Sequence, residues 1–332
     1  MPGKRLRNRL RAAYREARPV LSLSTLAVSE AGYRRRFAEP DFGIELAEVV
    51  AERHGLPRPL VRKVEGSNLV FRAGEGLWLK ISAPFWAEAL DAEVAVSEAL
   101  RGRLPAPIPT IVESGAIEDW RYLVSTHVPG APMQDVLPGL AEAEIEAVAT
   151  ELGQFMRAFH SVVVPGFERP FGPWARYLEG QLAGARALHL GRGVDPARVE
   201  QIMALLARRE ADLRALGPPV LVHADLTGEH VMLTRQSGRW RLSGVLDLAD
   251  AMTAPAGYDL ISPAVELFRG RRGAQRRLAE ASGAAVGDAP LSEALMALAL
   301  QHRFIHFDHW FAAEITAGLG DVEAIARAVF PD

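Results

Sequence analysis

The chain has 332 residues, 49% of them apolar and 24% charged, with a formal charge of −3 and no cysteine. That length accommodates two lobes, the composition is that of a globular protein, and the missing thiols exclude disulfide staples, thiolate metal sites and cysteine nucleophiles. No apolar run approaches the roughly 20 residues needed to cross a bilayer, so a cytoplasmic location is expected, and the small net charge implies no general affinity for polyanions.

The charge is uneven along the chain. Residues 1–36 hold ten Lys/Arg and two Glu, a local +8, so the remainder carries −11. The head, Lys4 to Arg11, reads as a basic amphipathic helix with Leu6, Leu10 and Tyr14 on one face. It suits contact with a membrane surface or nucleic acid, or a solvated extension. Residues 20–28 are too short and serine-interrupted to resemble a cleaved signal well. Residues 1–40 are therefore read as a basic extension.

Residues 44–54 read as a helix stopped by Gly55 and Pro57. Alternating runs over 61–72 and 77–81, separated by Gly74-Glu75-Gly76, predict a hairpin, and the first run breaks at Glu65-Gly66-Ser67-Asn68. The spacing predicts a helix over 85–102. Pro105, Pro107 and Pro109 mark a connector, and 110–128 reads as two strands around Glu118-Asp119. Beyond residue 140, helices are expected at 141–161, 172–188, 195–215, 274–282, 291–315 and 321–330, with short strands within 219–248. The expectation is an α+β protein with a small β-rich lobe over 41–128 and a larger, mainly helical lobe over 129–332.

The chemistry-bearing text is His223-Ala-Asp225-Leu-Thr-Gly-Glu-His230 followed by Gly244-Val-Leu-Asp247. Phosphoryl transfer needs one carboxylate to orient the acceptor hydroxyl and take its proton, and another to hold the magnesium that neutralises phosphate oxygens. Asp225 and Asp247, each after an apolar run, suit those two tasks. The plainer readings are a turn-former for Asp225 and a strand-end cap for Asp247, with Asp250 as the ligand. Lys80, between Leu79 and Ile81, can reach nucleotide phosphates or be a solvated strand lysine; Glu93 can pair with it, with Glu88 and Glu98 as rivals. The turn at Ser67 and Asn68 can offer converging N–H groups to an anion. His223 reads as a loop-shaping histidine and Asp259 as an N-cap-like or bracing residue. His302, His306 and His309 share one face of the expected 291–315 helix, with Asp308 beside them. They form a candidate zinc or iron cluster, a cleft lining, or packing. His223-x-Asp225 with His302 also matches a non-haem iron oxygenase triad, although that chemistry favours a β-barrel.

These pieces resemble, in order, the aminoglycoside phosphotransferase-like family of the choline kinase type, which has a bilobal protein-kinase-like fold. The resemblance runs from about Val61 to Pro263. It rests on His223-Ala-Asp225-x4-His230, Gly244-Val-Leu-Asp247-Leu-Ala-Asp250, Tyr258-Asp259-Leu, Ala158-Phe-His160-Ser161 and Tyr122–Gly130. It implies an ATP- or GTP-dependent kinase acting on a hydroxyl of a small molecule such as an aminoglycoside-like antibiotic. Asp225 would be the base, Asp247 a Mg2+ (or Mn2+) ligand, and Lys80 the contact to the α- and β-phosphates, oriented by Glu93. Ser67 and Asn68 would cap the phosphates, and the backbone at Ser125–His127 would meet the adenine. His223 and Asp259 would support the loop. Glu266, His302, His306, Asp308 and Glu314 are candidates for contacting the acceptor. His230 departs from the family's asparagine: it ligates the metal, or the second metal is held otherwise, or catalysis is lost and the chain is a nucleotide-binding pseudokinase.

Overall fold

Alternation of buried and outward side chains in the strand Leu69–Ala73 and the middle of the strand Leu77–Ser82 shapes the small lobe, while the strand Trp120–Thr126 is buried along most of its length. The computed structural model describes residues 29–167, 172–285 and 290–330; the head helix and the 20–28 segment lie outside them. Two helices, α1 (Glu30–Arg36) and α2 (Ile44–His54), precede the strands β1 (Leu60–Lys63), β2 (Leu69–Ala73) and β3 (Leu77–Ser82). Helix α3 (Ala87–Leu100) follows, then β4 (Ile111–Ile117) and β5 (Trp120–Thr126). The five strands form one antiparallel sheet in the order β1-β2-β3-β5-β4. In β3, Leu79 and Ile81 are buried while Trp78 and Lys80 turn to the opposite face, as a period of two requires. Leu69, Phe71, Leu79, Ile81 and Val124 make a core with Leu46 and Val50 of α2. Residues 29–40, read as part of a basic extension, contribute Tyr33 to this same core.

The large lobe begins with β6 (Ala131–Pro132), α4 (Met133–Val136), α5 (Glu142–His160), α6 (Trp174–Gly191) and α7 (Pro196–Ala215). It continues through β7 (Val220–Val222), β8 (Val231–Gln236), β9 (Arg239–Val245) and β10 (Met252–Ala254) to α8 (Ile261–Glu266), α9 (Arg272–Ser282) and α10 (Leu291–Leu300). The short α11 (Phe307–Trp310) and α12 (Ala312–Thr316) lead to α13 (Val322–Val329). Helix α5 buries Ile145, Val148, Ala149, Leu152, Phe155, Met156 and Phe159, a three- and four-residue spacing that puts one apolar stripe against the lobe core. Asp195 caps α7 by accepting from the N–H groups of Ala197 and Arg198, with Pro196 at the first helical position. Strand β7 pairs with β10, and β8 lies between β6 and β9, all antiparallel. Among the described residues no helix is long and apolar enough to cross a membrane.

Two features join the lobes. Ala92, Val96 and Leu100 of α3 belong to the large lobe's core, although Glu93 of the same helix faces the small lobe's sheet. The proline connector is pinned to β9 by Val245 N–H donating to Pro107 O (3.0 Å). At Gly244 the chains approach so closely that a Cβ would lie 2.7 Å from Pro107 O and 2.4 Å from a Val128 methyl, so only glycine fits.

The helix expected over 291–315 is not continuous. It ends at Leu300, and tertiary hydrogen bonds replace its ladder: Tyr177 Oη donates to Gln301 O (2.6 Å) and Arg303 N–H donates to Tyr258 Oη (2.9 Å). His302, His306 and His309 therefore do not share a helical face, and no three His, Asp or Glu side chains among the described residues converge as a ready-made metal site.

Candidate active site

Lys80 stands where the two lobes meet. Its Nζ donates to Glu93 Oε2 and to Asp247 Oδ1, both at 2.8 Å, so Glu93 is the carboxylate brought to it. Burial opposes the ammonium charge, but two carboxylates outweigh it and hold Lys80 protonated. One cation shared by the buried Glu93 and the half-buried Asp247 leaves the two carboxylates unequal. For Asp247 burial is outweighed by Lys80 and His230, and its carboxyl sits well below the usual range; for Glu93 burial wins and the carboxyl is raised.

Asp225 lies in the loop between β7 and β8, just after a left-handed residue, Ala224 (φ 64°). Such a conformation costs an L-residue about 1–2 kcal/mol, and a carboxylate holds it in place. Asp259 accepts from Ala224 N–H (2.6 Å), His223 N–H (2.9 Å) and His160 Nε2 (2.8 Å). Burial works against this carboxylate, but those bonds outweigh it and its pKa is lowered. His223 accepts Asp225 N–H at Nδ1 (3.3 Å) and, with Nε2, bonds Leu246 O (2.9 Å). It is therefore the Nε2–H tautomer with no lone pair left for a metal. It ties the Asp225 loop to the turn that carries Asp247. Asp247 is itself left-handed (φ 59°), a conformation that aspartate tolerates better than most residues. Asp225 is pushed up to about 7, first by burial and then by Asp250, Asp247 and Glu266, against the pull of His230.

His230 bridges the two aspartates. Nδ1 lies 2.8 Å from Asp225 O and 3.4 Å from its Oδ2, and Nε2 lies 3.8 Å from Asp247 Oδ2. The bond to a carbonyl oxygen requires the proton on Nδ1, which leaves the Nε2 lone pair of the neutral ring turned toward Asp247. In that neutral form His230 could join Asp247 as a ligand to a divalent ion, although burial of the ring is outweighed by Asp247 and Asp225, which raise its pKa and favour the protonated form. The iron triad is excluded by its donors, since His223 has no free nitrogen and His302 is buried in the core.

The remaining candidates divide clearly. Ser67 is exposed on the β1–β2 turn, and Asn68 has a buried Oδ1 without a partner. Ser125 is buried in β5 opposite Trp78. His127 accepts Trp78 Nε1–H at Nδ1 (3.1 Å), and its own N–H is taken by Gly76 O (2.9 Å). Thr126 N–H goes to Thr110 O (2.9 Å). The main-chain donor after His127 is Val128 N–H, which has no hydrogen-bond partner among the described residues; the sequence pattern offered no reason to single it out.

Of the acceptor candidates, Glu266 adjoins the Asp225 loop. The residue is exposed as a whole, but partial desolvation at the loop raises its carboxyl, opposed by a hydrogen bond from Gly228 N–H. His302 does not line a cleft: it is 1% exposed, stacks on Tyr258 at 4.6 Å, and burial followed by Arg303 lowers it to about 3. His306 is exposed at the start of α11, Asp308 faces Arg198 (3.7 Å) and Glu314 is paired with Arg269 (2.7 Å). Sequence reasoning missed Arg303, whose Nη2 lies 2.8 Å from Asp250 Oδ1 and which neutralises the carboxylate three residues after Asp247.

Comparison with known proteins sets this geometry among relatives. Viomycin phosphotransferase of Streptomyces vinaceus is 31% identical over 186 residues, which cover 52% of this chain and 61% of that protein, so the chain spans about three fifths of this relative's length. The GDP complex of wild-type aminoglycoside 2'-phosphotransferase-IIIa superposes with a TM-score of 0.62 at 17% identity, covering 85% of this chain and 95% of that one. The streptomycin–ATP ternary complex of APH(2")-IIa gives 0.59 at 16% identity, covering 86% and 98%. The ADP–streptomycin complex of APH(3'')-Id from Streptomyces rimosus gives 0.56 at 18% identity, covering 78% and 98%. At such identities the likeness is one of fold. The model described as the phosphotransferase enzyme family matches residues 39–298, and the chain belongs to that family.

Proposed function

We propose that this protein transfers the γ-phosphoryl group of a purine nucleoside triphosphate, ATP or GTP, to a hydroxyl of a small molecule. The observation that carries this reading is the convergence on Lys80 of Glu93 and Asp247, both at 2.8 Å, with Asp225 in the adjoining loop. Lys80 would meet the α- and β-phosphates, and Glu93 would keep it aimed. Asp247 and His230 would hold magnesium or manganese, which supplies neutralisation of the phosphate oxygens. The turn at Ser67 and Asn68 would cover the phosphates, and Thr126 O and Val128 N–H would read the purine edge in place of Ser125 and His127. Asp225 would orient the acceptor hydroxyl and take its proton, a task for which a carboxyl near 7 is suited.

The acceptor we infer is a hydroxylated, cationic molecule. Asp225, Glu229 and Glu266 gather around the loop, and the relatives' names include streptomycin and viomycin. His230 keeps a second reading in view, a pseudokinase in which a protonated imidazole ties both aspartates together without a metal.

Titration of Mg-ATP and Mg-GTP into the protein and its Lys80→Ala and Asp247→Ala variants tests the assignment. Each variant should bind at least about tenfold more weakly, since each removes a charge contact to phosphate or metal. Equal binding by all three proteins would end the phosphotransferase reading. A mass shift of 80 Da on any hydroxylated cationic acceptor would decide against the pseudokinase.

A further inference from the structure

Tyr33 lies in α1, ahead of the residues that match the family model. It is 1% exposed, and its Oη donates to Ser67 O at 2.8 Å, across 34 positions of sequence. Five aromatic rings surround it: Trp86 at 5.4 Å, Phe42 and Phe85 at 5.5 Å, Phe37 at 5.6 Å and Trp120 at 6.1 Å. The stretch after α1 is stitched to β1 as well, because Arg62 of β1 donates to the carbonyls of Phe37 (2.6 Å) and Glu39. The hydroxyl is thus a fixed point in the small lobe's core, and burial raises its pKa, so it remains a donor.

The turn it holds has little else to hold it. Residues 64–67 are exposed, and Gly66 is left-handed (φ 76°) with no atom within 4 Å of the position a Cβ would take. The carbonyl of Ser67 and the N–H of Asn68 share one trans peptide plane and point in opposite directions. Anchoring Ser67 O on Tyr33 therefore turns Asn68 N–H away from the core. Without the anchor this peptide plane is free to rotate, and a nest of N–H groups binds an anion only when its members converge. Phe85 and Trp86, which touch Tyr33, lead directly into α3, the helix that presents Glu93 to Lys80.

We propose that Tyr33 is a positioning residue for nucleotide phosphates: the segment of residues 29–42, through its hydroxyl, presets the turn at residues 65–68. This rests on the phosphotransferase reading above. The conservative variant Tyr33→Phe keeps the ring cluster and removes only the hydroxyl. Its affinity for Mg-ATP should fall about fivefold, as the loss of one neutral hydrogen bond predicts, while its affinity for adenosine, which has no phosphates, stays that of the wild type. Both are read by isothermal titration, alongside Tm. Unchanged Mg-ATP affinity in Tyr33→Phe overturns the proposal. So does a parallel loss for ATP and adenosine, which marks a general loosening of the lobe. Failure of the wild type to bind Mg-ATP and Mg-GTP would instead defeat the phosphotransferase reading, so the two failures are separable.

Discussion

At Asp225 the surroundings set the chemistry. Burial and three neighbouring carboxylates lift it to about 7, where it is half ionised at neutral pH. A group that accepts a proton must be ionised, so kcat/KM should rise with pH through about 7 and level off above it, and Asp225→Asn should lose at least about 100-fold in kcat. The same shift has a stability consequence. The folded pKa exceeds the unfolded one, so ionisation favours unfolding: the penalty is absent below about 4, grows between about 4 and 7, and is complete above. Asp225→Asn should therefore raise Tm relative to wild type more at pH 8 than at pH 4; thermal scans at the two pH values check this. The residues that meet here were legible because charged residues beside apolar strands are sparse, and their order is informative. Val128 was not legible, because a free backbone N–H is decided by which neighbouring carbonyls are taken, and that depends on sheet register.

At the scale of elements, the loop between β7 and β8 is held by tertiary bonds. Asp259 satisfies two N–H groups of that loop and His160 of α5. Its pKa is lowered, so its contribution is present above about 4 and is lost as pH falls through the folded value. Asp259→Ala, by leaving these buried groups unpaired, should cost about 3–5 kcal/mol in urea unfolding at pH 7. Ala224→Gly should change stability little. It relieves a left-handed residue worth about 1–2 kcal/mol, but it gives back about 0.4–1 kcal/mol in unfolded-chain entropy and about 0.8 kcal/mol for the buried methyl, so the same urea unfolding should lie within about 0.5 kcal/mol of wild type. The expected helix over 291–315 failed for a related reason. Helical spacing continues through Gln301 and His302, but Tyr177 and Tyr258 offer hydrogen bonds that outcompete the next helical turn. A local pattern contains no information about partners more than 40 positions away.

At the scale of the molecule, α3 has one side in each lobe, with Glu93 toward Lys80 and Val96 and Leu100 in the large core. Nucleotide bound between the lobes should stabilise both: Mg-ATP at 100 times its Kd adds about 2.7 kcal/mol, which corresponds to a Tm rise of about 5 °C. At equal nucleotide concentration Lys80→Ala, about tenfold weaker or more, should lose at least about half of that rise and Tyr33→Phe, about fivefold weaker, about a third of it, as differential scanning fluorimetry would read. By itself the sequence marked the α+β division and most element positions, because periodicity is a local signal, and it singled out Lys80, Asp225 and Asp247 as candidates through motifs in an order that resembles a family; that Glu93 and not Glu88 or Glu98 meets Lys80 was decided by the tertiary structure. Only the tertiary structure decided that His230 spans both aspartates, that His302 is buried and that Arg303 neutralises Asp250. The same holds for Tyr33, which the basic composition of residues 1–36 disguised as part of a solvated tail. Each of these depends on distances between side chains that the folded elements bring together, and such distances exist only once the two cores have formed.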